Sequence, residues 1–171
     1  MSLLSRFMDA LGRRRVITDR NNNVPYLIRY YVFLKERKNF PFNITLHKVL
    51  KSDERTLHDH PWSYATFIIK GGYWEFTPCV SREGFIVGAT ADWRGPGHFR
   101  KRPANDLHYL QLATDKNGNE IPCWSLFYMG KKAKEWGFMK FFGYKDQPDI
   151  YKQGYQWVSH TEYLARGAKD E

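Results

Sequence analysis

Residues 57–76 read LHDHPWSYATFIIKGGYWEF and join a histidine pair to a predicted strand and turn. In an extended chain, residues two apart point to the same face, so His58 and His60 can offer two imidazoles to one point. Imidazole, in its neutral form, is the commonest protein ligand for metals. The β-branched and aromatic run Tyr64–Ile69 predicts a strand, and Gly71–Gly72 predicts the turn after it. A polar strand end with two exposed histidines is the alternative for so short a motif.

The composition favours one β-rich domain. The chain has 171 residues, which suits a single domain over 1–171, and 17% of its residues are aromatic. No apolar run reaches membrane-spanning length, and no secretory signal is visible because Arg13–Arg15 follow the short apolar start. Cys79 and Cys123 show no CxxC spacing, so we expect a reducing, cytoplasmic environment, no disulfide framework and no membrane.

The formal net charge of +9 favours anionic partners. A small anionic or polar substrate and nucleic acid both fit this charge, and the charge alone does not choose between them. A basic, solvated surface that binds neither is the alternative. A second copy of the chain, in a homodimer, is the further partner considered.

Short strands separated by turn signals are predicted along the chain, which is typical of a β-sandwich or barrel. They lie at Tyr26–Leu34, Phe42–Val49, Tyr64–Ile69, Tyr73–Pro78, Gly84–Thr90, Ala91–Trp93, Leu107–Ala113 and Cys123–Tyr128, with Gly95–Arg102 as a loop. Gly118 in DKNGNE predicts a hairpin between the last two of these strands.

The two ends are predicted to pack outside this β-structure. Ser2–Leu11 has helical apolar spacing, with Ser2 as the N-cap and Gly12 as the stop. The basic, aromatic stretch after Gly130 is ambiguous between a short strand and irregular packing, and we predict an irregular tail over 129–171. Within that tail, Tyr155–Val158 reads as a short closing segment and Thr161–Ala165 as a helical turn.

A second stretch, GHFRKRPANDLH over Gly97–His108, completes a pair of motifs. The chain resembles the cupin superfamily, whose first motif is HxH, three or four residues, Glu, six residues and Gly. The second cupin motif is Gly, five residues and ProxGlyxxHis. The matching positions are His58, His60, Tyr64 and Gly71 in the first motif, and Gly97, Pro103, Asn105 and His108 in the second. Asn105 replaces the second glycine, and asparagine tolerates the left-handed backbone better than most residues.

The resemblance implies an all-β fold, the double-stranded β-helix or small jelly roll of cupins. It covers about Asn43–Tyr128, and we expect the barrel core over about residues 26–128. Cupins host many chemistries, so the fold by itself does not give the function.

The resemblance also implies a metal held by His58, His60 and His108. The usual carboxylate ligand is missing, and Tyr64 stands in its slot, either as a hydrogen-bond donor near the metal or as a barrel-filling aromatic. Three histidines without a carboxylate are similar to the iron cupins such as thiol dioxygenases. Fe(II) is therefore the expected cofactor, and zinc is the alternative. Three neutral ligands leave the metal's charge uncompensated, which suits an anionic substrate.

Strand parity adds a carboxylate to the candidates. Tyr73 and Glu75 share one face of their strand, and Trp74 and Phe76 share the other. If the Tyr73 face looks inward, Glu75 is buried and is a candidate fourth ligand or general base. If the aromatics point inward, Glu75 faces solvent.

A basic cluster precedes the third histidine and is formed by Arg94, His98, Arg100, Lys101 and Arg102. The guanidinium fork matches carboxylate and phosphate groups. We therefore expect Arg100 and Arg102 to bind an anionic substrate at the barrel mouth. A solvated loop is the alternative.

Three functions are compatible with the sequence. The first is a metal-dependent cupin enzyme, a non-haem iron dioxygenase-like oxidoreductase in which Tyr64 and Glu75 assist catalysis. The second is a non-redox cupin isomerase or epimerase that acts on a sugar phosphate or nucleotide sugar. The third is a non-catalytic binding module that contacts nucleic acid or protein. The sequence favours the first and does not identify the substrate.

Overall fold

The computed structural model describes residues 2–19, 23–35, 37, 40–142 and 154–167, in which strands dominate and two short helices lie towards the ends. Helix α1 spans Leu3–Ala10, and helix α2 spans His160–Gly167. The strands are β1 (Arg14–Thr18), β2 (Pro25–Tyr31), β3 (Asn43–Val49), β4 (Trp62–Lys70), β5 (Tyr73–Val80), β6 (Ile86–Arg94), β7 (Phe99–Arg102), β8 (Tyr109–Leu112), β9 (Cys123–Lys132), β10 (Gly137–Phe142) and β11 (Gly154–Ser159). All of these strands pair antiparallel, and the predicted all-β class is confirmed.

Two antiparallel sheets enclose the core. One has the strand order β1-β2-β3-β9-β4-β7, and the other has the order β6-β5-β8. Side chains from both sheets meet in one buried cluster, formed by Leu27, Val49, Ile68, Tyr73, Leu112 and Cys123. Because apolar burial stabilises by about 25 cal/mol per Å², this shared cluster holds the two sheets face to face.

The inward face of β3 is largely polar. Its sequence NITLHKV buries every second residue, as a half-buried strand should. The buried positions are Asn43, Thr45, His47 and Val49. Buried polar groups are retained only where they find hydrogen-bond partners, so this interior is organised by polar contacts as well as by apolar packing.

Two predictions in the middle of the chain are wrong. Gly84–Thr90 and Ala91–Trp93 were predicted as separate strands, but β6 runs through both because it pairs with β5 without a break from Gly88 to Arg94. Gly95–Arg102 was predicted as a loop, but it contains β7, which pairs with β4 at the sheet edge. The sequence FRKR gives a weak strand signal because exposed edge strands favour charged residues.

The prediction of an irregular C-terminal tail is also wrong. Strands β10 and β11 form an antiparallel pair, and α2 follows directly. The pairing is close at Gly137, where a Cβ atom would lie 2.2 Å from the carbonyl oxygen of Val158. The predicted segments Tyr155–Val158 and Thr161–Ala165 fall within β11 and α2. Residues 143–153 and 168–171 of the predicted tail lie outside the described residues.

The DKNGNE turn is present, but the strands beside it do not form the predicted hairpin. Gly118 has a φ of +82°, and the Asp115 carboxylate accepts the Asn119 N–H at 2.9 Å. Only Thr114 and Glu120 form a bridge beside the turn in the described part of the chain. Beyond them, β8 pairs with β5, whereas β9 pairs with β3 and β4. The turn therefore carries the chain from one sheet to the other.

Helix α1 packs on β2. Ser2 Oγ accepts the N–H of Ser5 at 3.3 Å, and Gly12, with a φ of +59°, follows the helix as predicted. Met8 is buried, and Ser5 Oγ lies 2.9 Å from the Tyr30 hydroxyl. None of the helices in the described ranges is long and apolar enough to cross a bilayer.

His47 lies buried on the polar face of β3 and is held neutral. Its Nε2 accepts a hydrogen bond from Arg29 Nε at 3.1 Å, and its ring stacks on Phe127 with centroids 4.5 Å apart. Burial, and then the charge of Arg29, lower the pKa of His47 well below 6.5. The unfolded chain therefore binds a proton here that the folded chain excludes, and stability falls as the pH drops below about 6.5.

We expect His47 to contribute about 1.4 kcal/mol to the loss of unfolding free energy between about pH 7.5 and about pH 5.5, because it stays neutral only in the folded state. Urea denaturation of the wild type and of His47→Gln at both pH values measures this contribution. The loss should be smaller in the variant by that amount. Equal losses in the two proteins would show that His47 is not held neutral.

Candidate metal centre

A backbone bridge joins the two histidine motifs. The N–H of His58 donates to the carbonyl of His108 at 3.0 Å, and the N–H of His108 donates to the carbonyl of His58 at 3.0 Å. The N–H of His60 donates to the carbonyl of Ala104, also at 3.0 Å. His58 and His60 thus lie in a bridged, extended segment before β4, and His108 lies directly before β8. The bridge brings segments that are distant in sequence into one register.

The three predicted ligands converge. One ligand atom from each of His58, His60 and His108 lies within 4.8 Å of the others. The Nε2 atoms of His60 and His108 are 2.9 Å apart. His108 is buried, and the other two are partly buried. Three imidazoles directed to one point are a donor set that fits a divalent transition metal such as iron or zinc.

Hydrogen bonds at Nδ1 orient two of the rings. His58 Nδ1 lies 3.2 Å from the carbonyl oxygen of Thr56, and His108 Nδ1 lies 3.1 Å from Glu75 Oε1. An imidazole that donates through Nδ1 keeps the lone pair on Nε2, the atom that can bind a metal. Burial lowers the pKa of His58 below 6.5 and that of His60 well below 6.5. Both rings are therefore held in the neutral form that metal binding requires.

Tyr64 places a neutral hydroxyl beside the ligand nitrogens. Its hydroxyl lies 3.0 Å from His108 Nε2, and its ring packs between His60 and Phe127 at centroid distances of 4.6 and 5.3 Å. Burial raises the pKa of Tyr64 well above 10, so the hydroxyl keeps its proton. The slot that usually holds a carboxylate in cupins therefore supplies a hydrogen-bond donor here instead of a negative charge.

Glu75 faces inward, as one of the two strand parities predicted, because it is 3% exposed while Trp74 is 44% exposed. Its Oε1 accepts from Arg102 Nε at 2.8 Å and lies 3.1 Å from His108 Nδ1, and its Oε2 accepts from Arg94 Nε at 2.9 Å. Burial acts to raise the pKa of Glu75, but the hydrogen bonds from His108 and Arg102 and the Arg102 charge lower it well below its usual range.

This position changes the role expected for Glu75. The carboxylate lies at Nδ1 of His108, on the side of the ring away from Nε2, and both of its oxygens are engaged. The geometry therefore suits a group that orients His108, and it does not suit the fourth ligand or general base that the sequence analysis considered.

The structure separates the two arginines predicted to bind substrate. Arg102 is 3% exposed, and its Nη1 donates to Asp106 Oδ2 at 3.1 Å while its Nε binds Glu75. The third nitrogen, Nη2, is buried and has no hydrogen-bond partner in the described part of the chain. Arg100 is exposed and lies opposite Thr66 on the edge strand β7. Of this pair, it is Arg102 that is joined to the histidine site.

Backbone conformation explains why the two motifs have glycine at positions 71 and 97, but it does not explain Asn105. Gly71 has a φ of +77°, and a Cβ atom there would lie 2.6 Å from the carbonyl oxygen of Pro122. Gly97 has a φ of +87°. Asn105 does not adopt the left-handed backbone considered for it, because among the described non-glycine residues only Asn23 has a positive φ.

Asp53 is an acidic neighbour of the site that the sequence analysis missed. Its Oδ2 lies 3.9 Å from His58 Nε2 and accepts the Leu110 N–H at 2.7 Å, while its Oδ1 accepts the Tyr26 hydroxyl. In the sequence it lies in the charged stretch KSDER, Lys51–Arg55, and no spacing signal marks it. Its charge offsets part of the cost of burying His58 in a protonated form.

Asp59, the residue between the two histidines, was also missed. It is 2% exposed, and it binds the C-terminal part of the chain. Its Oδ1 accepts the Gly137 N–H at 2.8 Å, and its Oδ2 accepts from Trp157 Nε1 at 2.9 Å and from Lys134 Nζ. Side chains alternate along the HxH segment, so Asp59 points away from His58 and His60. A carboxylate that is buried on that face needs partners, and this requirement could have identified it from the sequence.

The C-terminal hairpin also pairs directly with the histidine segment. Phe138 of β10 forms a bridge with His58, and the N–H of Met139 donates to the carbonyl of Leu57 at 2.7 Å. The N–H of Asp59 donates to the carbonyl of Gly137 at 3.1 Å. His58 is therefore held between the His108 segment on one side and β10 on the other.

Neither the protein-family models nor the curated proteins contain a match to this chain. Among solved structures, it is similar to Fe(II)-HppE, with 12% identity and a TM-score of 0.47 over 70% of this chain and 56% of that chain. It is similar to the polyketide cyclase RemF from Streptomyces resistomycificus, with 13% identity and a TM-score of 0.49 over 91% of this chain and 89% of that one. A cupin superfamily protein from Desulfitobacterium hafniense matches at 11% identity and a TM-score of 0.42 over 67% and 84%.

These similarities concern the fold. The matched region spans little more than half of the Fe(II)-HppE chain, 56%. The predicted resemblance to cupin proteins is confirmed in the chain's own architecture, which combines two antiparallel sheets with the convergence of three histidines from the two motifs.

Replacing His58, His60 or His108 by Ala should remove most of the bound metal, because each change deletes one of three ligands. Elemental analysis of proteins purified under identical metal supply measures the content. His47→Gln and His160→Gln are matched controls outside the cluster and should keep the metal of the wild type. Equal metal content in all five variants would exclude this site.

Replacing Asp59 by Asn should weaken metal binding about tenfold although all three ligands remain. Asp59 holds the hairpin that pairs with His58, and residues that position a metal ligand typically change its affinity about 10–100-fold. Competition with a coloured chelator measures the affinity. Asp115→Asn, in an exposed turn, is the matched control and should leave it unchanged. Wild-type affinity in Asp59→Asn would show that the hairpin contact does not support the site.

Proposed function

We propose that this chain is a metal-dependent enzyme of the cupin type that acts on a small anionic or polar substrate. The observation that carries the proposal is the convergence of His58, His60 and His108, with the Tyr64 hydroxyl 3.0 Å from a ligand nitrogen. We propose Fe(II) as the metal and a dioxygenase-like oxidation as the reaction.

The donor set supports an anionic substrate. Three neutral imidazoles leave the full charge of a divalent ion uncompensated, and a bound iron would supply Lewis acidity and redox chemistry at this point. The neighbouring charges of Glu75, Asp92 and Asp106 are paired with Arg94 and Arg102, so the charge left for a substrate is that of the metal. A divalent ion whose ligands carry no charge attracts an anion more strongly than a neutral molecule.

Arg102 is the residue we propose for binding that anion. Two of its three nitrogens are used by Glu75 and Asp106, which fixes the guanidinium plane, and the buried Nη2 has no partner among the described residues. A buried donor without a partner costs about 1–3 kcal/mol. A carboxylate oxygen of the substrate would satisfy it, and Arg100, which is exposed, is not needed for this role.

Tyr64 and Glu75 have distinct parts in this proposal. Tyr64 stays protonated and is placed to donate a hydrogen bond to a substrate oxygen at the site. Glu75 accepts from Nδ1 of His108 and keeps its Nε2 lone pair directed at the metal position. The first residue would contact the substrate, and the second would orient a ligand.

The proposal is tested with the cobalt(II)-loaded protein, whose visible absorption reports on the metal's surroundings, titrated with acetate and oxalate. Both carboxylates should change the spectrum, and Arg102→Gln should weaken their binding about 10-fold or more, as expected for a charged hydrogen bond. Arg100→Gln is the matched control and should bind like the wild type. Equal effects of the two variants would contradict the role of Arg102.

Dioxygen uptake by the Fe(II)-loaded protein, offered a panel of small carboxylic acids with thiol or hydroxyl groups, tests the reaction class. Uptake that needs both iron and one of the acids supports a dioxygenase-like enzyme. Turnover of an acid without uptake would favour a non-redox cupin enzyme in its place.

A further inference from the structure

A second concave site lies beside the metal centre, between the sheet β6-β5-β8 and the C-terminal hairpin. It is a groove of about 620 Å³. Its lining comes from the segment before His58, from β6 and β8, and from the C-terminal part of the chain, and it includes Arg55, Gly88, Tyr109, Lys140, Phe141 and Tyr155. None of the three clustered histidines lines it, and the roles proposed above leave it unused.

Aromatic rings form two sides of this groove. Tyr109 is held flat against Phe76, with ring centroids 4.5 Å apart and planes 4° apart. Across the groove, Phe141 and Tyr155 contact each other edge to face at 5.4 Å, and both are exposed, at 55% and 46%. Exposed rings held in place by neighbours are platforms on which a planar ligand ring stacks.

Two cations border the same space. Arg55 and Lys140 line the groove together with one carboxylate, Glu54, and neither cation forms an ion pair in the described part of the chain. A phosphate monoester carries about −1.5 to −2 charges at pH 7 and three acceptor oxygens, so it can contact two cations at once. The groove thus offers ring platforms and two cations in one space.

The β6 side of the groove is formed by small residues. Gly88 and Ala89 lie there, and a Cβ atom built on Gly88 meets no atom within 4 Å. The space beside β6 is therefore open, and a larger side chain at Gly88 would project into it without strain from its neighbours.

We propose that this groove binds a nucleotide, with the base stacked on the exposed aromatic rings and the phosphate held by Arg55 and Lys140. The site is separate from the metal centre, and it does not depend on the function proposed for that centre. A free mononucleotide and a nucleotide at the end of a single-stranded nucleic acid share this chemistry.

Titration of the full chain with AMP, followed by calorimetry, tests the proposal. AMP should bind with one-to-one stoichiometry. Gly88→Phe should weaken binding about tenfold or more, because it blocks the stacking space. Val87→Phe places the same ring on the neighbouring residue of β6, which does not line the groove, and should bind AMP like the wild type.

The contribution of charge to binding is measured in two ways, by removing the phosphate from the ligand and by removing the two cations from the protein. Adenosine, which lacks the phosphate, should bind about tenfold more weakly than AMP, and the double variant Arg55→Gln with Lys140→Gln should remove that difference. A short single strand such as a dT tetranucleotide that binds more tightly than AMP would identify a strand end as the source of the nucleotide. No binding of AMP, or equal binding by the Gly88→Phe and Val87→Phe variants, would overturn the assignment.

Discussion

The pair of backbone hydrogen bonds between His58 and His108 is the contact on which the site depends. Each is 3.0 Å long, and together they set the two motifs in one antiparallel register. Because side-chain direction alternates along an extended segment, this register determines that His60 and His108 direct their Nε2 atoms to the same point. Neighbouring strands continue from this bridge, since His108 leads directly into β8 and His58 also bridges Phe138 of β10 in the C-terminal hairpin.

Buried charge is the second constraint on this interior. Glu75 is 3% exposed, and a carboxylate at that depth is retained only when it is paired and hydrogen-bonded. Arg94, Arg102 and His108 provide the partners, and removing one member of such a buried pair costs about 3–5 kcal/mol. This network is costly to break, and it includes His108, a proposed metal ligand. Buried polar groups that are kept in spite of their desolvation cost are typical of a functional site.

Much of the site could be predicted from local spacing. The two motifs identified the histidines, and strand parity showed that Glu75 shares a face with Tyr73. Both inferences depend only on positions a few residues apart. Arg100 and Arg102 could not be separated, since their segment was predicted as a loop and a loop has no parity. Its strand character comes from pairing with β4, a contact that the basic sequence does not show.

The contribution of the C-terminal region could not be predicted for a related reason. The partners of Asp59 lie far along the chain, at Lys134, Gly137 and Trp157, and no periodic pattern links them to the histidine segment. The hairpin was expected to be irregular because its sequence mixes basic and aromatic residues without clear alternation. Its tertiary contact with the histidine segment determines its structure, and local propensity is overridden there.

X-ray absorption spectroscopy of the Fe(II)-loaded protein tests the central claim most directly, because it counts the ligands around the metal in solution. The geometry predicts three imidazole nitrogens at about 2.0–2.2 Å, with the multiple-scattering signature of three histidine rings. Fewer than three imidazoles, or a sulfur ligand, would contradict the assignment of His58, His60 and His108 as the metal centre.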